Sequence, residues 1–162
     1  MEKSPTYQFY LGSAGWDHPE WGGAFYPAGL PPEWRLTFYN VAFPCVYLAY
    51  DEWSGRDLRD LAGWVEDTLD HFRFVLGTSP AGLTAADRAR LEVLAPRIGL
   101  VLGIDDRSDE RVVSLEGSPD LKKLAHRLQE LGARPGPVYL ISRDHNLDAM
   151  SRVNTLLEIM GL

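Results

Sequence analysis

A chain of 162 residues with 45% hydrophobic and 24% charged residues is sized and composed for one globular domain, 1–162, with a substantial core. A formal net charge of −7, with no basic run longer than Lys122-Lys123, argues against nonspecific nucleic-acid binding, which needs a dense positive face to displace counterions. Cys45 is the single cysteine, which excludes an intramolecular disulfide and a cysteine-based zinc site and reads as a buried structural thiol.

The first nine residues, MEKSPTYQF, lack a secretory apolar segment, and no apolar stretch is long enough to span a bilayer. A cytoplasmic protein without membrane contact is the expectation. A first strand is predicted over 7–11. It runs into the loop GSAGWDHPEWGGAFYPAGLPPEW, where Trp16 and Trp21 bracket Asp17, His18, Pro19 and Glu20. A short helix follows over 32–42, then a strand over 45–49. Ser54 with Asp57 reads as a capping box opening a helix over 55–71, with Leu58, Leu61, Ala62, Val65 and Leu69 on its apolar face.

A strand over 72–76 precedes a helix capped by Thr84 with Asp87 and ended by Pro96. Strands over 98–104 and 111–115 follow each other directly, joined by the polar stretch from Asp105-Asp106 to Glu110. Ser118-Pro119 reads as the start of the next helix, with Pro at its first position and Gly132 at its stop. A sixth strand, Val138–Ser142, and a last helix, Leu147–Met160, complete the chain. Near-continuous apolar strands alternating with amphipathic helices predict an α/β fold, an incomplete (β/α) TIM-barrel-like architecture of about six mostly parallel strands with outer helices.

In parallel folds, sites gather at the carboxyl ends of the strands. There the chain places Asp17, His18 and Glu20, then Asp51 and Glu52, then Asp105 and Asp106, Glu116, and Asp144, His145 and Asn146. Asp17, His18 and Glu20 are the candidates for acid–base catalysis. Trp16, Trp21, Tyr26, Asp51, Asp144 and His145 are the candidates for ligand binding. The opposing reading is plain: Asp, Asn and Ser after strands form turns and cap helices, and an aromatic cluster plugs the end of a sheet. Trp53 and Trp64 read as packing residues, and His71 and His126 as boundary or surface residues of helices. No spacing such as His-x-x-x-His supports a metal site, so none is expected, and no cofactor is identified. The glycines match neither a dinucleotide fingerprint nor a phosphate loop.

Gly12-Ser13-Ala14-Gly15-Trp16 through Trp21, with Phe25-Tyr26-Pro27 and Gly29-Leu30-Pro31, resembles the YecE-like family, a group of uncharacterised proteins that look like (β/α) barrels. The likeness continues through Trp34, Tyr39 and Phe72-Arg73-Phe74, and in Val138-Tyr139-Leu140 on to Leu157. A complete barrel has eight strands in about 250 residues, so the resemblance implies a shortened member lacking the fifth and sixth strands. The family's polar positions differ here. Val46-Tyr47-Leu48-Ala49 stands where the family reads like Val-Glu-Ile-Asn, Gly77 where it has Lys, and Ser114-Leu115-Glu116-Gly117 where it reads like Arg-Leu-His-Gly. About Arg143-Asp144, the family has an Asn pair. The resemblance therefore implies a divergent remnant of unknown biochemical function that has lost or changed the family's activity and binds a small ligand or a protein partner. The alternative is a hydrolase- or isomerase-type enzyme, metal-assisted or not, acting on a small polar or sugar-like substrate at the strand rim. An incomplete barrel leaves two sheet edges open, and open edges template pairing, so a homodimer is expected.

Overall fold

The computed structural model describes residues 8–103 and 110–162. Tyr7, Ile104, Asp105 and Asp106 lie outside the described residues. Six strands are present among those described: β1 (Phe9–Ala14), β2 (Cys45–Leu48), β3 (Arg73–Leu76), β4 (Ile98–Val101), β5 (Val112–Leu115) and β6 (Val138–Ser142). They form one sheet in the order β4-β3-β2-β1-β6-β5, and every pairing is parallel. The helices are α1 (Arg35–Ala42), α2 (Tyr50–Ser54), α3 (Leu58–Glu66), α4 (Ala85–Leu94), α5 (Leu121–Gly132) and α6 (Leu147–Met160).

Alternation along each strand sorts the core into two sides. Phe9, Leu11, Val46, Leu48, Phe74, Leu76, Val113 and Leu140 face the helices, where they meet Leu36, Leu61, Leu94, Leu128, Val153 and Leu157. Burying each such side chain contributes roughly 1.5–3 kcal/mol. Tyr10, Cys45, Tyr47, Val75, Leu100, Val112, Tyr139 and Ile141 form a separate cluster on the opposite face. The sheet curls about that second face. Tyr139 of β6 reaches Gly99 of β4, four places along the sheet, so closely that a Cβ at Gly99 would lie 2.3 Å from its hydroxyl. The architecture is an α/β half-barrel with helices outside. Cys45 is fully buried, and burial pushes its thiol well above the usual range.

Several boundaries differ from the sequence reading. β1 runs over Phe9–Ala14 because it pairs on both sides, with Gly12 opposite Cys45 and Ser13 opposite Ser142. Residues 55–71 do not form one helix capped by Ser54. Ser54 is the last residue of α2, whose first turn closes when Glu52 accepts the Ala49 N–H at 3.0 Å. Asp57 is the residue before α3, and α3 stops at Glu66. There the Thr68 hydroxyl donates to the carbonyls of Trp64 and Val65, at 2.9 and 3.1 Å, while Arg97 reaches the Thr68 carbonyl at 3.2 Å. His71 therefore sits in a turn and Leu69 is exposed. Ser118-Pro119 does not open α5; Asp120 does, its carboxylate accepting the N–H groups of Lys122 and Lys123 at 3.1 and 3.2 Å. The Thr84–Asp87 capping box and the last strand and helix stand as read.

Candidate functional site

The carboxyl end of β1 is fastened from below. The Ser13 N–H donates to the Tyr39 hydroxyl at 2.9 Å, and that hydroxyl donates to the Cys45 carbonyl at 2.7 Å. Gly15 then turns the chain with φ of 75°, a left-handed conformation suited to glycine, while its N–H bonds the Tyr47 carbonyl at 2.8 Å. The turn brings His18 back over its own strand. Nε2 of His18 lies 2.9 Å from the Ala14 carbonyl and 3.1 Å from the Gly15 carbonyl. Carbonyls only accept, so Nε2 carries the proton and Nδ1 holds the lone pair.

His145 arrives from the far end of the chain, in the turn between β6 and α6. Its φ is 44°, the one positive value at a non-glycine among the described residues. Its carbonyl accepts the Trp21 indole N–H at 3.2 Å, its N–H donates to the Ser142 carbonyl at 3.3 Å, and Asn146 behind it caps α6 by accepting the Ala149 N–H at 3.1 Å. The His18 and His145 rings meet at 3.8 Å between centroids, tilted by 47°. Nδ1 of His145 stands 3.5 Å from a Glu20 carboxylate oxygen. One donor atom from each of His18, Glu20 and His145 falls within 4.8 Å of the others. Trp21 packs edge-on against both rings, at 4.5 and 6.5 Å. Burial, and after it the neighbouring His145, lowers the His18 pKa below its usual 6.5; the Gly15 and Ala14 carbonyls and Glu20 oppose the shift without overcoming it.

On another side of His18 opens a cavity of about 660 Å³, bounded by the loop after β1 and by α2 and α3. Trp16 and Trp64 line it, in edge-to-face contact at 4.9 Å and 88°. Asp17, Glu33, Asp51, Glu52, Asp60 and Asp67 supply carboxylates, and Arg56 and Arg59 supply guanidiniums. Arg56 lies over the Trp64 ring at 5.5 Å. Burial pushes the Glu52 carboxyl up.

The expected site residues thus divide. His18, Glu20 and His145 come together, and Trp16, Asp17, His18 and Asp51 share the cavity. Asp17 is ion-paired to Arg35. Trp21 and Tyr26 are each 2% exposed and pack in the core, so neither presents a face to a ligand. The Tyr26 hydroxyl donates to the Trp16 carbonyl and shapes the loop from within. Asp144 accepts the Gly117 N–H at 2.8 Å and the Ser142 hydroxyl at 3.3 Å, which ties the turns after β5 and β6. Arg56, Arg59 and Asp60 were not singled out by sequence. Their signal is position, since the true helix start at Leu58 leaves them at the carboxyl-end loop of β2 and the first turn of α3.

The family model described as "Protein of unknown function DUF72" matches residues 10–140. A DUF72 family protein from Thermotoga maritima is similar in structure, with a TM-score of 0.62 at 14% identity over 93% of this chain and 99% of that one. Another, from Enterococcus faecalis V583, has a TM-score of 0.58 at 11% identity over 96% and 98%. At these identities the likeness speaks to fold alone. No curated protein matches the chain.

Proposed function

We propose, for a chain that belongs to the DUF72 family and whose family description assigns no function, that it binds a small polar, sugar-like ligand in the cavity at the carboxyl end of the half-barrel. The observation that carries this reading is the lining itself. The volume of about 660 Å³ suits a small molecule, the Trp16–Trp64 pair offers an apolar wall, and the six carboxylates of Asp17, Glu33, Asp51, Glu52, Asp60 and Asp67 outnumber the guanidiniums of Arg56 and Arg59 around it. Carboxylates accept from hydroxyls and the two guanidiniums donate to them, which suits a polyhydroxylated ligand, and the acidic excess disfavours an anionic one. The test is ligand-observed NMR with a panel of monosaccharides, polyols and their phosphates. Binding of a sugar or polyol that is lost in Arg59→Ala supports the reading. Silence across the panel, or binding untouched by cavity substitutions, defeats it.

A second reading is favoured by His18, which lines the cavity and whose pKa burial lowers, favouring the neutral imidazole that can accept a proton. In that reading the ligand is a substrate, and hydrolase- or isomerase-type chemistry uses His18 as proton acceptor. Following the same NMR samples over time separates the two, because turnover changes the ligand's spectrum and binding does not.

We further propose that the chain is a shortened, divergent family member, supported by six described strands where a complete barrel has eight. Homodimerisation through the edge strands β4 and β5 is proposed on the same ground, and a monomer mass independent of concentration would refute it. No helix among the described residues is long and apolar enough to cross a membrane; a cytoplasmic location is the proposal consistent with that.

A further inference from the structure

We propose that His18, Glu20 and His145 bind a divalent transition-metal ion, with zinc as the best fit. Two imidazoles and one carboxylate are the donor set of three-ligand zinc sites that leave a fourth position for water. Magnesium and calcium prefer all-oxygen shells, so two imidazoles select against them.

Binding requires the two rings to part, because zinc bonds of about 2.0–2.1 Å at a tetrahedral angle put imidazole centroids roughly 5 Å apart, and those of His18 and His145 stand 3.8 Å apart. Tetrahedral zinc with bonds of about 2.0–2.1 Å places its donors roughly 3.3 Å apart. The three donors already lie within 4.8 Å of one another. The Glu20 side chain is 57% exposed and has room to swing inward.

The supporting contacts are those a metal site requires. Metal-bound histidines have their second ring nitrogen or their orientation fixed by outer partners. Here Nε2 of His18 is held by the Ala14 and Gly15 carbonyls, so Nδ1 is the nitrogen the proposal assigns to the ion. His145 is held at its backbone by the Trp21 indole and the Ser142 carbonyl, in a left-handed conformation that histidine adopts uncommonly. Backbone strain of this kind persists where surrounding structure over-determines it, and it concentrates at functional sites. An ordinary ion pair between Glu20 and His145 requires neither the strained backbone nor the pinned second imidazole.

The inference stands apart from the cavity ligand, since it concerns the ion alone. It excludes one arm of the functional reading, because a His18 lone pair committed to a metal is unavailable as a base.

The experiment is calorimetric titration of zinc into the metal-stripped, untagged full chain, together with the visible spectrum after adding cobalt. Expected are one zinc per chain and an intense cobalt spectrum of a four-coordinate site. Outer-shell changes alone cost 10–100-fold in metal affinity, so Glu20→Gln should weaken zinc at least about tenfold. His18→Ala and His145→Ala should abolish the cobalt spectrum. His126→Ala, on the exposed face of α5, should change neither readout. The proposal is overturned if the wild-type chain takes up no zinc, or if Glu20→Gln and His145→Ala bind it as the wild type does. Should either histidine variant fail to fold by circular dichroism, the exposed Glu20→Gln decides alone.

Discussion

Trp21→Phe is the perturbation that joins the core to the site. The indole is 2% exposed, stacks on Tyr39 at 6.2 Å and 8°, and holds the His145 carbonyl through its N–H. Phenylalanine keeps the six-membered ring and loses the N–H with the five-membered ring. The lost hydrogen bond, with the carbonyl left unpaired, costs about 1 kcal/mol. The void of one or two methylene equivalents costs about another 1–1.5 kcal/mol. A total of about 2–2.5 kcal/mol lowers Tm by about 4–10 °C for a chain of this size. Urea denaturation should show a lower midpoint at unchanged slope. Zinc affinity should fall about 10–100-fold as His145 loses its clamp. If stability drops as calculated while zinc affinity holds, Trp21 only packs and the positioning argument fails. If stability changes by less than about 0.5 kcal/mol, the packing argument fails as well.

Gly99→Ala should destabilise by about 1–3 kcal/mol, because its Cβ would stand 2.3 Å from the Tyr139 hydroxyl. Tyr139→Phe should recover part of that loss in a double-mutant cycle, and strict additivity would mean that the sheet does not curl as described. For Asp87, burial alone would raise the pKa. The Thr84 N–H at 3.0 Å, the Tyr50 hydroxyl at 2.7 Å, the Thr84 side chain and Arg90 outweigh it and hold the carboxyl below its usual 3.8. Its charged form therefore stabilises the fold above about pH 4, and that stability is lost as pH falls through the lowered folded-state pKa. Asp87→Asn should cost about 0.5–2 kcal/mol at pH 7 through the weakened cap, and the gap to wild type should shrink in acid melts. A gap constant with pH would contradict the reasoning. Arg59→Ala removes an exposed cavity guanidinium. It should move stability by no more than about 0.5 kcal/mol while cancelling sugar binding in the NMR panel.

The element order was legible because strands and helices here obey different periods. Val138–Ile141 is an unbroken hydrophobic run closed by Ser142, and Leu147–Met160 begins behind Asn146 and ends at Gly161 with φ of 71°, so both read true to the residue. Helix starts were harder. Ser54 and Asp57 have capping-box spacing, yet the capping bond forms between Ala49 and Glu52, five residues earlier, and opens α2, while α3 starts behind Asp57. Ser118-Pro119 competed with Asp120, whose carboxylate reaches two backbone N–H groups. The Trp–Gly–Pro loop pointed to the half-barrel, and its burial of Trp21 and Tyr26 explains why such a loop is spent on aromatics. The pairing of His18 with His145 had no local signature. It depends on β1 and β6 being sheet neighbours, which a parallel crossover sets and residue spacing does not reveal. Only the placement of both histidines after strand ends hinted at it.

The most direct test is anomalous diffraction at the zinc absorption edge from crystals of the full chain grown with zinc. The account predicts one strong peak within about 2.0–2.1 Å of an imidazole nitrogen of His18, one of His145 and a carboxylate oxygen of Glu20. No peak there, or zinc bound only elsewhere on the surface, would contradict it.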